Sequence, residues 1–166
     1  MALAHGHMTA RLTLRPVAAS DEAAVVAGVG NLAVSGWLAV VPHPYTAADF
    51  RHFHEHIAVP GETFVLEDES GFAGIISLVD GELGYWVDPR AQGLGYATEA
   101  GRCLVAAHFA SRDAALTAGY FEGNVRSANV LAKLGFVEIG RDLKRCAARG
   151  ADLPHVNVRL PRGAFV

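Results

Sequence analysis

Asp80 and Gly81 stand between two apolar runs, FAGIISLVD and ELGYWVD, and a glycine-rich stretch, RAQGLGYATEAG, follows directly. No other feature narrows the fold as much. An Asp-Gly pair between strand-like runs is a tight-turn signal, so residues 72–88 read as an antiparallel hairpin. From Tyr96 to about Ala110, the residues Ala97, Ala100, Leu104, Ala107 and Phe109 recur at helical spacing. Gly93 and Gly95, just before this helix, permit a tight backbone and offer its N–H groups to an anion. Such a hairpin, loop and helix point to a mixed α/β sheet.

The rest of the chain fits that frame. RLTLRPV is a short strand stopped by Pro16. Ser20 opens an alanine- and valine-rich helix over 20–28, with Asp21 and Glu22 in its first turn. Thr46 and Asp49 form a capping pair for a second helix carrying Phe50, Phe53 and Ile57. TFVLED is a strand, joined to the next by a turn at residues 69–71. ALTAGY is a further strand, and SANVLAKLG a helix closed by Gly135. FVEIGRDLKRCA and HVNVRL are two closing strands about a Gly150–Ala151 turn. The order is β-α-α-β-β-β-α-β-α-β-β. A chain of 166 residues fits one domain with its own core. Residues 1–9 are set aside as an N-terminal extension or vector residue, which leaves 10–162 as the domain.

Composition excludes some functions. A net charge of -3 argues against a nucleic-acid partner, which would need a basic face. No apolar run approaches the ~18 residues of a membrane span, and no basic-then-apolar leader opens the chain. The expected location is cytoplasmic, with no membrane partner. Cys103 and Cys146 lie far apart, without disulfide or zinc spacing. Of His52, His54 and His56, only the first and last share a helix face, and no third ligand is nearby, so no metal is expected. His108 is expected on the solvent side of its helix.

Three ligands compete for the glycine loop. A P-loop needs Lys and Ser/Thr after its last glycine, where this chain has Tyr96 and Ala97. A dinucleotide fingerprint needs Gly or Ala where Thr98 stands. The third pattern, Gln/Arg-x-x-Gly-x-Gly/Ala, is matched in register by Gln92, Gly95 and Ala97. It is the pyrophosphate loop of coenzyme A-dependent acetyltransferases. Successive N–H groups of Gly93, Leu94, Gly95, Tyr96 and Ala97, with Thr98 behind them, can cradle a pyrophosphate at the positive end of a helix.

A second stretch strengthens that reading. GNVRSANVLAKLGF resembles the Asn-x-x-Ser…Lys-x-Gly-Phe segment of the GNAT superfamily of N-acetyltransferases. ELGYWVDPRAQGLGYATEA, RLTLRPV and the Trp37–Asp49 connector resemble its Rim-type branch, which acetylates ribosomal-protein N-termini. The resemblance covers nearly all of residues 10–162. It implies a single-domain GNAT-like α/β fold: a mixed, mostly antiparallel sheet, splayed between its fourth and fifth strands and flanked by about four helices. It also implies acetyl-CoA as cosubstrate, with the pantetheine arm in the splay beside Tyr85, Trp86 and Val87. The Val87 N–H would polarise the thioester carbonyl, and Asn124 would bind the pantetheine amides.

The resemblance further implies direct attack of a neutral amine. Glu82, sharing a strand face with Gly84 and Trp86, is the first candidate base; the alternative is a solvated carboxylate at the strand start. Glu99 reads as structural or surface. Many members carry a tyrosine, as acid for the departing thiolate, where this chain has Leu131. Ser127 is the substitute candidate, its other reading being the N-cap of its helix. Trp37, His43 and Tyr45 are expected to wall the acceptor side. The acceptor would be an amine-bearing peptide, a protein N-terminus foremost. The alternatives are a small-molecule amine acetyltransferase and a non-catalytic acyl-CoA sensor. A homodimer through the last strands is left open.

Overall fold

The computed structural model describes residues 6–166. Eight strands form one open sheet. In chain order they are β1 (His7–Met8), β2 (Thr13–Pro16), β3 (Thr63–Asp68), β4 (Gly71–Val79), β5 (Glu82–Val87), β6 (Leu116–Phe121), β7 (Val137–Cys146) and β8 (Ala151–Leu160). Their spatial order is β1-β2-β3-β4-β5-β6-β8-β7. All neighbours are antiparallel except β5 and β6, which are parallel and pair only at Glu82↔Thr117. Beyond that point the two strands part. The splay expected between the fourth and fifth strands is therefore present, between β5 and β6 in this numbering.

Helices cover both faces. α1 (Glu22–Gly30), α2 (Leu32–Ser35) and α3 (Ala47–His52) lie on one, over a core of Val25, Val29, Phe50, Val65 and Ile75. α4 (Tyr96–Ser111) and α5 (Val125–Leu134) lie on the other, over the larger core that includes Leu14, Phe64, Ile76, Leu104 and Leu116. Strand alternation follows. Leu83, Tyr85 and Val87 of β5 turn to the α4–α5 face, whereas Trp86 packs into the α1–α3 core.

Local chemistry explains most boundaries. Thr46 and Asp49 cap α3 reciprocally: Asp49 N–H donates to Thr46 Oγ1 at 3.3 Å and Thr46 N–H to Asp49 Oδ2 at 2.7 Å. Gly135 ends α5 at φ 96°, as its position suggested. α1 starts at Glu22, two residues later than expected, because Asp21 turns inward. Both its carboxylate oxygens accept from Arg15, at 2.9 and 2.8 Å, and one also accepts from Ala18 N–H. β8 starts at Ala151 rather than His155; Pro154 lies within it, and its carbonyl accepts from Glu122 N–H at 2.9 Å.

Residues 7–9 of the stretch set aside above join the sheet edge. His7 and Met8 pair with β2, and Thr9 Oγ1 donates to Glu99 Oε1 at 2.6 Å. Arg11 Nε donates to the other oxygen of Glu99 at 2.7 Å. A two-residue strand carries too little alternation to be read from sequence. Residues 1–5 of the expected extension lie outside the described residues.

Asp68, at the end of β3, organises the approach to the glycine loop. Its side chain is 5% exposed. It accepts from both Nη atoms of Arg90 at 3.0 Å and from Tyr96 Oη at 3.1 Å. The β3–β4 turn, the segment before Gly93 and the first residue of α4 are thus tied at one carboxylate. The Arg90 hydrogen bonds hold this carboxyl down at about 2. A folded-state value below the unfolded ~3.9 contributes stability above that value, lost as pH falls towards 2. Asp68→Asn is expected to destabilise the fold by about 1–3 kcal/mol at neutral pH. It should also flatten the fall of Tm between pH 4 and 2. Thermal melts of both proteins across that range check this; parallel curves would remove Asp68 from the acid response.

Candidate active site

Backbone polarity determines what the splay offers. Asp88 N–H donates to Ala73 O at 2.9 Å, so in this register residues 84, 86 and 88 direct their amides to β4. Tyr85 and Val87 direct theirs the other way. Thr117 N–H donates to Gly81 O at 2.9 Å and closes the joined end; past it, Tyr85 and Val87 face the gap. On the far side, Glu122 N–H bonds β8, so the even-numbered residues of β6 serve that ladder and Gly119 and Phe121 face the gap. A cleft of about 850 Å³ runs through this opening.

At one end of the cleft is the glycine loop. Gly93 and Gly95 take φ 79° and 81°, a region that residues with a Cβ rarely enter. Gly95 is the N-cap of α4. Gln92, Gly93, Gly95 and the start of α4 (Tyr96, Ala97, Thr98) line the cleft. Leu94 does not; its side chain is half exposed and turned away. The Tyr96 phenol is spent on Asp68, so its contribution to the wall is its first-turn backbone. Gln92 Nε2 donates to Val87 O at 3.1 Å, and its Oε1 accepts from Arg126 Nη1. The loop, the end of β5 and the start of α5 are thereby linked.

The middle of the cleft holds Tyr85, Val87, Asn124 and Ser127. Asn124, not Ser127, is the N-cap of α5; its Oδ1 accepts from Ser127 N–H at 3.2 Å. Ser127 lies in the first turn, and its Oγ is 2.8 Å from Tyr85 Oη. Burial pushes the Tyr85 phenol up to about 12. Trp86 borders the cleft, but its amide belongs to the β4 ladder and its indole packs on Phe72, ring centroids 5.6 Å apart.

The far end is closed by two segments distant in sequence. Ala147 N–H donates to Ala39 O at 2.9 Å, and Cys146 Sγ lies 3.6 Å from the carbonyls of Gly36 and Leu38. The Arg149 guanidinium stacks over Trp37 at 4.5 Å. Trp37 and Glu82 both line the cleft, Glu82 as an exposed side chain at the joined end of the splay. His43 and Tyr45 are not among its lining residues. Tyr45 packs against the α1–α3 core, where burial raises its phenol to about 12. The His52 and His56 rings lie tilted against each other with centroids 5.1 Å apart, away from the cleft. Among the described residues no three His, Cys, Asp or Glu side chains converge as metal ligands. No helix among them is long and apolar enough to cross a membrane.

The family model for an acetyltransferase (GNAT) domain matches residues 11–137. The chain belongs to the GNAT acetyltransferase family. Solved structures similar to this acetyltransferase include a GNAT-family acetyltransferase from Bacillus anthracis, 20% identical, with a TM-score of 0.81 over 96% of this chain and 99% of that one. A ribosomal-protein-S5-alanine acetyltransferase from Vibrio fischeri is 21% identical, with a TM-score of 0.70 over 98% and 99%. A spermidine N-acetyltransferase from Vibrio cholerae, solved with CoA and spermine, is 17% identical, with a TM-score of 0.70 over 93% and 97%. At these identities the likeness is one of fold. No curated protein sequence matches the chain.

Within this GNAT fold, Leu131 is a core residue, 2% exposed, at the position where many members carry tyrosine. The phenol near the start of α5 comes from β5 instead, as Tyr85. In the sequence Tyr85 stands out only for its backbone, since nothing local shows a strand side chain reaching a helix 42 residues on. Arg126 and Lys133, not among the expected site residues, put positive charge along the cleft. Arg126, next to Ser127 in GNVRSAN, was the readable one. Lys144 and His155 also line the cleft and carry no sequence signal. His108 is buried, its Nε2 2.9 Å from Ala114 O, rather than on the solvent side.

Proposed function

We propose that this GNAT acetyltransferase moves the acetyl group of acetyl-CoA to the α-amine of a peptide or protein N-terminus. The observation that carries the reading is the parting of β5 and β6 beside the Gln92–Gly95 loop, which leaves the Tyr85 and Val87 amides facing an open cleft. In this reading the N–H groups of residues 93–97 hold the pyrophosphate, with Arg126 adding charge. Pantetheine lies in the splay against Tyr85 and Val87 and reaches Asn124. The Val87 N–H stabilises the oxyanion that forms as the amine attacks. Ser127 and Tyr85 share a hydrogen bond from which the departing sulfur takes a proton. Glu82 draws the cationic amine to the mouth.

Charge favours a peptide terminus over a polyamine. The acceptor end carries Lys144 and an arginine-stacked Trp37 against the single carboxylate of Glu82. A polycation would meet repulsion there. Protonation agrees: an α-amine with pKa ~7.7–8.0 is roughly a quarter neutral near pH 7.4, a lysine only about 0.1%. Among the similar folds, one acts on a ribosomal protein and one on spermidine at the same TM-score, so fold alone does not choose.

Calorimetric titration with acetyl-CoA and with 3′,5′-ADP, then thiol release over N-terminal peptides, amino acids and polyamines, tests the reading. Acetyl-CoA binding with release on peptides is expected. Release on polyamines alone would replace the acceptor class. Binding without release on any amine would make the protein an acyl-CoA sensor.

A further inference from the structure

The two parting strands are bare where they separate. Gly84 on β5 and Gly119 on β6 are the residues that follow the Glu82↔Thr117 pair on the α1–α3 face. The His155 side chain reaches into this opening. His155 of β8, whose Cα pairs with Phe121, leans its ring over Gly119: a Cβ there would stand 2.2 Å from His155 Cε1 and 2.7 Å from Nε2. The ring lines the cleft, is 5% exposed, and meets Phe121 edge-on at 5.3 Å. Its Nδ1 is 3.5 Å from Asp142 Oδ1 and closes no hydrogen bond among the described residues. The buried imidazole thus lies with Nε2 over the glycine of the parting strand and Nδ1 beside Asp142, an arrangement that packing alone does not require.

We propose that His155 is the proton acceptor for the incoming amine. The proposal rests on the acetyltransferase reading of the same cleft. The amine nitrogen attacks the thioester carbonyl carbon; the C–N bond forms and the carbonyl electron pair moves to the oxygen held by Val87 N–H. The surplus proton on nitrogen passes to His155 Nε2, the ring nitrogen over Gly119. Collapse breaks the C–S bond, and the thiolate takes its proton from the Ser127–Tyr85 pair. His155 releases its proton to solvent, and that pair regains one. Position favours His155 over Glu82. Glu82 precedes Val87 by five residues, about 16 Å along a strand, farther than a carboxylate and one water reach. The His155 ring lies over Gly119, two residues past the Glu82↔Thr117 pair and so further into the opening than Glu82.

The surroundings keep the imidazole neutral. Burial lowers its proton affinity, Lys144 lowers it further, and Asp142 opposes both. Asn157 of β8 acts in the same direction as Asp142; Phe121 of β6 meets the ring edge-on, and Glu82 and Trp37, the latter under the Arg149 guanidinium, line the same cleft. A neutral imidazole is the form that accepts a proton.

The test compares wild type, His155→Gln, His155→Ala and Glu82→Gln, with acetyl-CoA affinity by calorimetry and kcat/KM against pH on the best acceptor. H155Q is expected to lose about 100-fold or more in kcat, to keep its acetyl-CoA affinity, and to lose the acid-side limb of the pH profile. Added imidazole should restore part of the H155A rate, which a packing role would not. E82Q should raise KM and keep the limb. An H155Q profile like wild type, no rescue of H155A, or loss of the limb in E82Q alone would overturn the assignment and leave the acetyltransferase reading standing. Wild type that binds acetyl-CoA but acetylates no amine would overturn both.

Discussion

Gly95→Val is expected to weaken acetyl-CoA binding by about 100-fold while the protein still folds. Space is not the reason. A Cβ at Gly95 would have only Arg11 Nη2 nearby, at 3.5 Å. The reason is the backbone: φ 81° is a left-handed conformation that a β-branched residue adopts only under strain. Valine would pull φ negative and rotate the two peptide units that meet at residue 95. Each carries an N–H of the proposed pyrophosphate cradle. A hydrogen bond to a charged group contributes about 1.5–3 kcal/mol, so misdirecting two removes roughly 3 kcal/mol or more. Strain in the fold itself is about 1–2 kcal/mol, a Tm loss of a few degrees in a chain of this size. Calorimetry and a thermal melt separate the two effects. A variant that binds acetyl-CoA as wild type does would reduce the loop to a helix cap.

Gly74→Ala should produce the larger loss of stability. Gly74 sits in β4 opposite Val87, with φ 148° and its open face against the neighbouring strand. A Cβ would lie 2.3 Å from Trp86 O and 3.0 Å from Val87 Cα, both backbone atoms that cannot rotate aside. Relief requires the end of β5 to move. Backbone strain and overpacking each contribute about 1–3 kcal/mol, so roughly 2–5 kcal/mol is expected, a Tm fall of about 5–15 °C. The displaced segment carries the Val87 amide, so kcat should fall more than acetyl-CoA affinity in the fraction that remains folded. Urea unfolding and steady-state rates check the two halves; wild-type stability would mean that β5 yields there without resistance.

These positions also mark how far the sequence could be read. Features fixed by a few neighbouring residues were legible. Asp80 and Gly81 take φ 50° and 78°, as their turn requires, and the Thr46–Asp49 cap and the Gly135 stop were local as well. The tight entry to α4 was legible too, because the spacing of Gly93 and Gly95 carries that signal. Other features depend on which strands meet. His155 reaches the cleft only because β8 inserts between β6 and β7, and Tyr85 finds Ser127 only because α5 folds back over β5. His43 and Tyr45 share the connector with Trp37, but the chain turns between them, and only Trp37 ends at the cleft. His108 is drawn inward by a carbonyl six residues later.

The clasp between residues 36–39 and 146–149 gives the molecule two halves that can change separately. Everything proposed to handle the donor lies on β5, the glycine loop and α5. The opposite wall is a hairpin tip leaning on a connector, joined by one backbone hydrogen bond, two sulfur contacts and a stacked arginine. Exchanging residues at that tip alters the outline of the chamber without disturbing the strands proposed to hold the thioester. A lineage built on this plan can change what it modifies while keeping what it spends, and a library aimed at new acceptors would do best confined to these two short segments.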